Sequence, residues 1–289
     1  MSVTTEAGRA VKTSPVELSV VVPVYNEAPD LPTMVNGITP HLDRVVGRGR
    51  WQFVLVDNGS VDGSSEIIDR IVATWPGSVA LHLARPDYGE ALAKGLMAAR
   101  GEWAYVVNVD FWDDVLLRWC WRHRVLYDLV LGSKRADPSL NKQHKYRQLL
   151  SWGLNSILQF AFGFVGTDTH GQKFLSLPAI RPILAECVMR RGQFDTELTL
   201  RAMRRGLWLA EVPVPITELR PPRTLMLGKT RRNLVDIVRL KRVARRIPSD
   251  RPIRYHRWAR EDLEREDSPQ AQFLLAAAEQ GSRISSAPR

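Results

Sequence analysis

Four short polar clusters in the first 110 residues carry the side chains best suited to chemistry. They are Pro23-Val24-Tyr25-Asn26-Glu27, Asp57-Asn58-Gly59-Ser60, Arg85-Pro86-Asp87-Tyr88-Gly89 and Asn108-Val109-Asp110. Asp110, with Asn108 two residues before it and Asp113 three after, offers hard oxygen ligands. Such a set holds Mg2+ or Mn2+ through one or two protein groups while phosphates fill the rest of the shell. A metal there would neutralise and orient a leaving diphosphate. Asp113 and Asp114 have a second use open to them, capping a helix that begins near Val115. Asp57 either accepts hydrogen bonds from a nucleotide base or ribose, or holds its own Asp-Asn-Gly-Ser turn. Asn, Asp and Gly are ordinary turn formers, so one such cluster means little, whereas four in matching places point to a site.

The places match because of the elements between the clusters. Short β-branched runs at Leu18 to Val24, Gln52 to Val56, Val79 to Leu83 and Trp103 to Val107 alternate with segments of helical spacing at Leu31 to Val46, Ser64 to Trp75 and Glu90 to Arg100. Strands alternating with helices through short connections imply parallel strands joined by right-handed crossovers. The expected fold is α/β, a Rossmann-like, mostly parallel sheet with helices on both faces. Open sheets of that kind bind ligands beyond the carboxyl ends of their strands, where all four clusters fall. Further on, Leu129 to Ser133 reads as a strand and Asp137 to Lys145 as a polar loop. Leu149 to Gly166 has no charged residue, but its Ser, Asn, Gln and three glycines argue against a membrane span; it reads as an amphipathic stretch at an interface or against the sheet.

Length and composition set the outer bounds. The 289 residues, 44% hydrophobic and 25% charged, describe a soluble folded chain with room for a sizeable core. Cys120 and Cys187 supply neither a disulfide framework nor a zinc motif, and Met1 to Ser14 contains no apolar run of signal-peptide length, so a reducing, cytoplasmic location is expected. The 33 Arg against 8 Lys hint at a GC-rich bacterial genome. The net charge of +10 is concentrated: Arg220 to Arg246 holds ten basic residues against Asp236 alone. This segment either seeks phosphates or is a solvated helix face. With neither a recognition fold nor interleaved aromatics, nucleic acid is not an expected partner. Leu234, Ile237, Val238 and Leu240 alternate with Arg239, Lys241, Arg242, Arg245 and Arg246, as in a helix lying on an anionic membrane surface, or else one packed on the domain with its arginines in water. The organisation expected is a disordered N-terminus (1–16), a domain ending in this basic amphipathic helix (17–246), and a charged, mostly mobile tail (247–289). On that reading, cutting the chain after Arg246 spares activity.

The motifs, in order and spacing, resemble the family 2 inverting glycosyltransferases of GT-A fold, and most closely their polyprenyl-phosphate sugar synthase branch. Those motifs are Pro23-Val-Tyr-Asn-Glu27, Val56-Asp-Asn-Gly-Ser60 with Asp62-Gly63, Tyr88-Gly-Glu-Ala-Leu92, Ala99-Arg-Gly101 and Asn108-Val-Asp110. Later elements resemble that branch too: Gly132-Ser-Lys-Arg135, Asp168-Thr-His-Gly171, Phe194-Asp-Thr-Glu197 and Glu211-Val-Pro-Val214, with Arg220 to Lys229 in the place of its basic donor loop. The resemblance implies a GDP- or UDP-hexose donor whose base and ribose sit against Pro23, Tyr25, Glu27 and Asp57. It also implies Mg2+ or Mn2+ on Asp110 and Asn108, bridging the diphosphate, with Arg135, Arg223 and Lys229 clamping phosphate oxygens. The acceptor attacks with inversion; a lipid phosphate is already anionic and needs no strong base. The chain departs from the family in three ways. Asn108 replaces the first Asp of Asp-x-Asp, with Asp113 placed to compensate; Gln172-Lys173 replaces an aromatic-Arg pair; and no membrane spans follow. His170 reads as a turn residue. The expected function is hexose transfer to a polyprenyl phosphate at the cytoplasmic membrane face. The alternatives are the same donor chemistry on a soluble glycan, metabolite or protein, and a basic binding module that has lost catalysis.

Overall fold

Period-two alternation builds the sheet. In β1 (Leu18–Val24) residues Leu18, Val20, Val22 and Val24 enter one apolar layer and Val21 the other. In β2 (Trp51–Asp57) Trp51, Phe53 and Leu55 oppose Val54 and Val56 in the same way. Both strands are buried on both faces, as parallel strands between two helical layers must be. The structure, a computed structural model, describes residues 15–140, 163–190, 193–215, 236, 238–248 and 251–264.

Eight strands form one sheet in the order β3 (Val79–His82), β2, β1, β4 (Trp103–Val106), β6 (Lys173–Ser176), β5 (Leu129–Ser133), β7 (Trp208–Pro213) and β8 (Arg254–Arg257). Only β6 runs against the others. One face is covered by α1 (Leu31–Val45), α2 (Ser64–Thr74), α4 (Asp114–Arg122) and α8 (Arg260–Glu264). The other is covered by α3 (Tyr88–Ala98), α5 (Leu177–Glu186), α6 (Phe194–Arg204) and a helical stretch, α7, at 238–244. Strands β1 to β5 lie within a residue of their expected bounds at each end, whereas β6, β7 and β8 were not expected. Helix α3 starts two residues earlier than its apolar spacing suggests, because Asp87 caps it by accepting from the Glu90 amide at 3.0 Å.

Within 247–289, expected to be a mostly mobile tail, the described residues 251–264 carry a strand and a short helix. Residues 254–257 form β8, parallel to β7, and Trp258 is buried with Trp119 and Tyr127. A cut after Arg246 removes this strand and its tryptophan, so activity is not expected to survive it. Residues 265–289 and 1–14 lie outside the described residues.

Of the apolar residues expected on one side of the basic helix, Leu240 is buried and Val238 is 51% exposed. Ala244 and Ile247 are buried with Leu240, while Arg239, Lys241, Arg242, Arg245 and Arg246 are exposed. Leu234 and Ile237 lie outside the described residues. So does most of the uncharged stretch Leu149 to Gly166, of which Phe164 sits in the core. No helix among the described residues is long and apolar enough to cross a membrane.

Candidate active site

The first three strand ends are tied to one another by side chains of their loops. Asn26, with φ at 54°, donates its amide to Ser60 Oγ at 3.0 Å and accepts from the Val61 amide at 2.9 Å. The Glu27 amide donates to Ser64 Oγ at 2.9 Å and the Ala28 amide to Asp62 Oδ2 at 3.1 Å. Burial works against the Asp62 carboxylate, but the Ser64 hydroxyl and the Ala28 and Ser64 amides hold it below its ordinary range. Asn58 joins the second loop to the third by accepting from the Asp87 amide at 2.7 Å. Gly59 stands at φ +72°, and a Cβ there would meet the Arg85 carbonyl carbon and Pro86 nitrogen at 3.1 Å, so this crossing needs glycine.

Within this rim Asp57 is buried, 4% exposed, in register with Val24 and His82. Its Oδ1 accepts from the Ser60 amide at 2.9 Å, the turn-holding contact; its Oδ2 lies 3.6 Å from His82 Nδ1. His82 also meets Ser65 Oγ at 2.8 Å and donates from Nε2 to Asp69 at 3.0 Å. The sequence reading missed His82, whose position as the last residue of β3 was the available signal. Pro23 and Glu27 are half-buried, and Tyr25 stands 47% exposed as an aromatic at the rim.

The Asn108–Asp110 motif follows β4 as a tight turn, closed by reciprocal backbone bonds between Asn108 and Phe111 at 3.3 Å. Asn108 is half-buried and Asp110 exposed. Asp113 is the N-cap of α4: Oδ1 accepts from the Leu116 amide at 2.8 Å and Oδ2 from Arg260 at 2.9 Å. Both of its oxygens are therefore engaged, the capping alternative weighed for it rather than compensation for Asn108. No group of three or more His, Cys, Asp or Glu among the described residues forms an all-protein metal site. Asn108 and Asp110 fit a cation of another kind: two oxygen donors, one of them anionic and exposed, suit Mg2+ or Mn2+ that keeps most of its shell for phosphate.

The later motifs converge beyond β5 and β7. Ser133 Oγ accepts from the amides of Arg135 and Ala136 at 3.1 Å and meets Thr167 Oγ1 at 2.7 Å, forming the turn that presents Arg135. Burial lowers the pKa of the Arg135 guanidinium, while the charges of Asp168 and Glu211 act the other way. Glu211, fully buried, accepts from the Thr167 amide at 2.8 Å, the Thr167 hydroxyl at 2.6 Å and the Asp168 amide at 3.2 Å. His170 donates its amide to Asp168 Oδ1 at 2.9 Å, the turn role expected of it. Gly171 is forced: a Cβ there would lie 1.8 Å from the Gly132 carbonyl oxygen. Lys173 is fully buried and pairs with Asp195 at 3.1 Å. Glu197 accepts from the Val188 and Met189 amides and from Arg201. Arg223 and Lys229 lie outside the described residues.

Residues 19–116 match the family model Glycosyl transferase family 2. The chain is 24% identical over 246 residues to a dolichyl-phosphate beta-glucosyltransferase of Dictyostelium discoideum, covering 78% of this chain and 73% of that protein. It is 27% identical over 213 residues to glycosyltransferase AglD of Haloferax volcanii, covering 69% of this chain and 33% of that one. Among solved structures it is similar to glucosyl-3-phosphoglycerate synthase of Mycobacterium tuberculosis in complex with Mn2+, UDP-glucose and phosphoglyceric acid. That match has a TM-score of 0.53 at 21% identity and covers 78% of this chain and 79% of the other. Two strand-end clusters on a mostly parallel sheet and the structural likeness give the chain the GT-A fold, and its residues 19–116 are similar to the Glycosyl transferase family 2 model.

Proposed function

We propose that this protein is an inverting glycosyltransferase that moves a hexose from a GDP- or UDP-sugar to a polyprenyl phosphate. The observation that carries the reading is the rim of four strand ends, which places buried Asp57 and exposed Asp110 at one end of the same sheet. Asp57 keeps a carboxylate oxygen able to accept an N–H or O–H from base or ribose, and Tyr25 offers an exposed ring for the base to stack on. Asp110 and Asn108 would hold Mg2+ or Mn2+, which supplies charge neutralisation at the leaving diphosphate. Arg135 adds a cation on the acceptor side, with Arg223 and Lys229 as further phosphate clamps. The acceptor oxygen forms its bond to the anomeric carbon on the face opposite the breaking bond to the diphosphate, which leaves as a nucleoside diphosphate. Positioning and charge supply the rate, since a phosphate acceptor arrives deprotonated. The matches to dolichyl-phosphate beta-glucosyltransferases support the lipid acceptor. A peripheral location at the cytoplasmic membrane face is the matching part of this reading, supported by the exposed basic residues Arg239, Lys241 and Arg242 of α7, each cation contributing about 1 kcal/mol at an anionic surface.

A soluble acceptor is the second reading. It is favoured by the burial of Leu240, Ala244 and Ile247, which turns those apolar side chains of the basic segment into the domain and away from any membrane. Thermal shift with UDP, GDP and their hexose derivatives, with and without Mn2+, tests the donor half: a ligand at one hundred times its Kd adds about 2.7 kcal/mol of stability. Absence of any Mn2+-dependent shift would leave a binding module without catalysis. Transfer from the best donor to polyprenyl phosphate, compared with soluble sugars and phosphorylated acids, then separates the two acceptors. Co-sedimentation that is equal on neutral and anionic vesicles at low salt rejects the membrane location.

A further inference from the structure

Two loops that the proposed reaction needs in fixed relation are far apart in sequence, and one short segment near the C-terminus touches the supports of both. The first is the Asn108–Phe111 turn. Three residues after Asp110 comes Asp113, whose backbone is held from β4 by Tyr105: the Tyr105 hydroxyl donates to the Asp113 carbonyl at 3.1 Å. The Asp113 side chain is held from the other side by Arg260 Nη1 at 2.9 Å, an ion pair in which both partners are largely buried and 147 residues apart. The second is the 167–171 loop, whose amides rest on Glu211. Glu211 in turn accepts from the Tyr255 hydroxyl and, at 3.3 Å, from Arg257. Arg260 also reaches the Pro213 carbonyl at 3.4 Å, and the Trp258 amide donates to the Glu211 carbonyl at 2.9 Å. The same Tyr105 hydroxyl contacts Gln172, which closes the circuit through β4.

We propose that the strap formed by Tyr255, Arg257 and Arg260 is a positioning device, with Arg260 its main positioning residue, setting the distance between the Asn108–Asp110 turn and the 167–171 loop through Asp113 and Glu211. None of the three belongs to a motif that marks the donor or acceptor site. The physical ground is the character of the supports. Asp113 and Glu211 are buried carboxylates that cannot lose their cationic or hydroxyl partners without seeking others, so their positions follow the strap. A turn suspended between a strand end and a helix cap moves when the cap moves, and errors of about 1 Å at a reacting centre cost about a hundredfold in rate. The role assigned to the two loops rests on the function proposed above; the mechanical coupling does not.

The test uses the full-length protein with Arg260→Gln and Arg260→Lys, read in two ways. Hydrogen exchange at 25 °C reports the coupling without any substrate. Faster exchange in Arg260→Gln at amides 108–113 together with 167–171, while β1 and β2 keep wild-type protection and Arg260→Lys recovers at least part of the loss, supports the strap. Change confined to residues 258–264, or a uniform rise across the sheet, overturns it in favour of an ordinary stability contact. Mn2+ titration of UDP or GDP binding gives the second readout. Arg260→Gln should need about tenfold more Mn2+ for half-saturation, with Arg260→Lys between it and wild type. An unchanged Mn2+ requirement in Arg260→Gln overturns the positioning role. If wild type itself shows no Mn2+-dependent nucleotide binding, the proposed function fails, and the exchange pattern still decides the coupling. Should Arg260→Gln fail to fold, Tyr255→Phe removes only one hydroxyl on Glu211 and is read at 167–171 by the same criteria.

Discussion

The two halves of the sheet hold their sites together by different means. Around β1 to β3 the ties are backbone amides donating to polar side chains of the strand-end loops, Ser60, Asp62, Ser64 and Asn58. Around β5 to β8 the ties centre on buried charged side chains and their partners, Lys173 with Asp195, Asp113 with Arg260, and Glu211 with Tyr255 and Arg257. The first half can lose a loop contact and keep its sheet. The second half cannot lose one partner without leaving a charge in the interior, because desolvation makes the remaining ion expensive. Binding function and stability should therefore be separable in the first half and inseparable in the second.

The largest expected effect falls in the first half and spares folding. Asp110→Ala removes the anionic donor of an exposed turn, so transfer should drop about a thousandfold, equivalent to roughly 4 kcal/mol of transition-state charge stabilisation, while the melting temperature stays near wild type. Asn108→Asp should be tolerated. Transfer by Asp110→Ala within twofold of wild type at limiting Mn2+ would remove the metal assignment.

Next in size is Lys173→Met, which leaves buried Asp195 with the Tyr88 hydroxyl but no cation and should cost about 3–5 kcal/mol in denaturant unfolding. Adding Asp195→Asn to it should restore much of that, since the charge has then gone as well. A single variant of near wild-type stability would show that Asp195 finds another partner, and the contrast between the halves would weaken.

Ser64→Ala probes the gentler ties. The Ser64 hydroxyl accepts from the Glu27 amide and donates to Asp62 Oδ1 at 2.6 Å, so its loss should cost about 1 kcal/mol of stability. The same change should weaken nucleotide binding, because the Tyr25–Ala28 loop is then free to shift. Calorimetry showing equal losses in both would argue that the loops of the first half are structural supports like those of the second.

The smallest effect concerns pH. Burial lowers the pKa of His123, which stacks on Trp119 beside the strap tryptophan, although its Nδ1–H donates to the Trp119 carbonyl. His256 is lowered by burial too. An unfolded histidine takes up its proton near pH 6.5, and the folded imidazole resists it. Below that pH the unfolded state binds more protons, so stability falls as the solution is acidified from about 6.5 towards the folded values, and is unaffected above. His123→Phe should flatten part of that slope between pH 7 and 5; an unaltered slope would show that the ring takes up its proton in the fold as it does in the unfolded chain.

How far the sequence could be read follows from the same contrast. The α/β class, the strand ends and the first rim were readable because each rests on local patterns: period-two runs, helical spacing and turn residues a few positions apart. Asp57 and Asp110 were named on that basis, and both lie on the rim. The tail was misread because Arg254-Tyr255-His256-Arg257 is short and charged and follows Pro252. Nothing in those residues shows that a partner strand, a buried Glu211 and a capping Asp113 await them. His82 was missed for a similar reason, since its meaning depends on Asp57 standing beside it in register.

What the sequence determined by itself was thus the elements up to β5 and the chemical kind of the first site, since periodicity and turn chemistry act over a few residues and need no knowledge of distant chain. Only the tertiary structure decided that Asp113 is a cap paired with Arg260, that Lys173 and Asp195 neutralise each other in the core, and that residues 254–264 complete the sheet. Each of those outcomes is a charge finding its counter-charge across a fold. A carboxylate in a sequence looks the same whether it will face solvent, a phosphate or a buried arginine, and burial is what settles which it becomes.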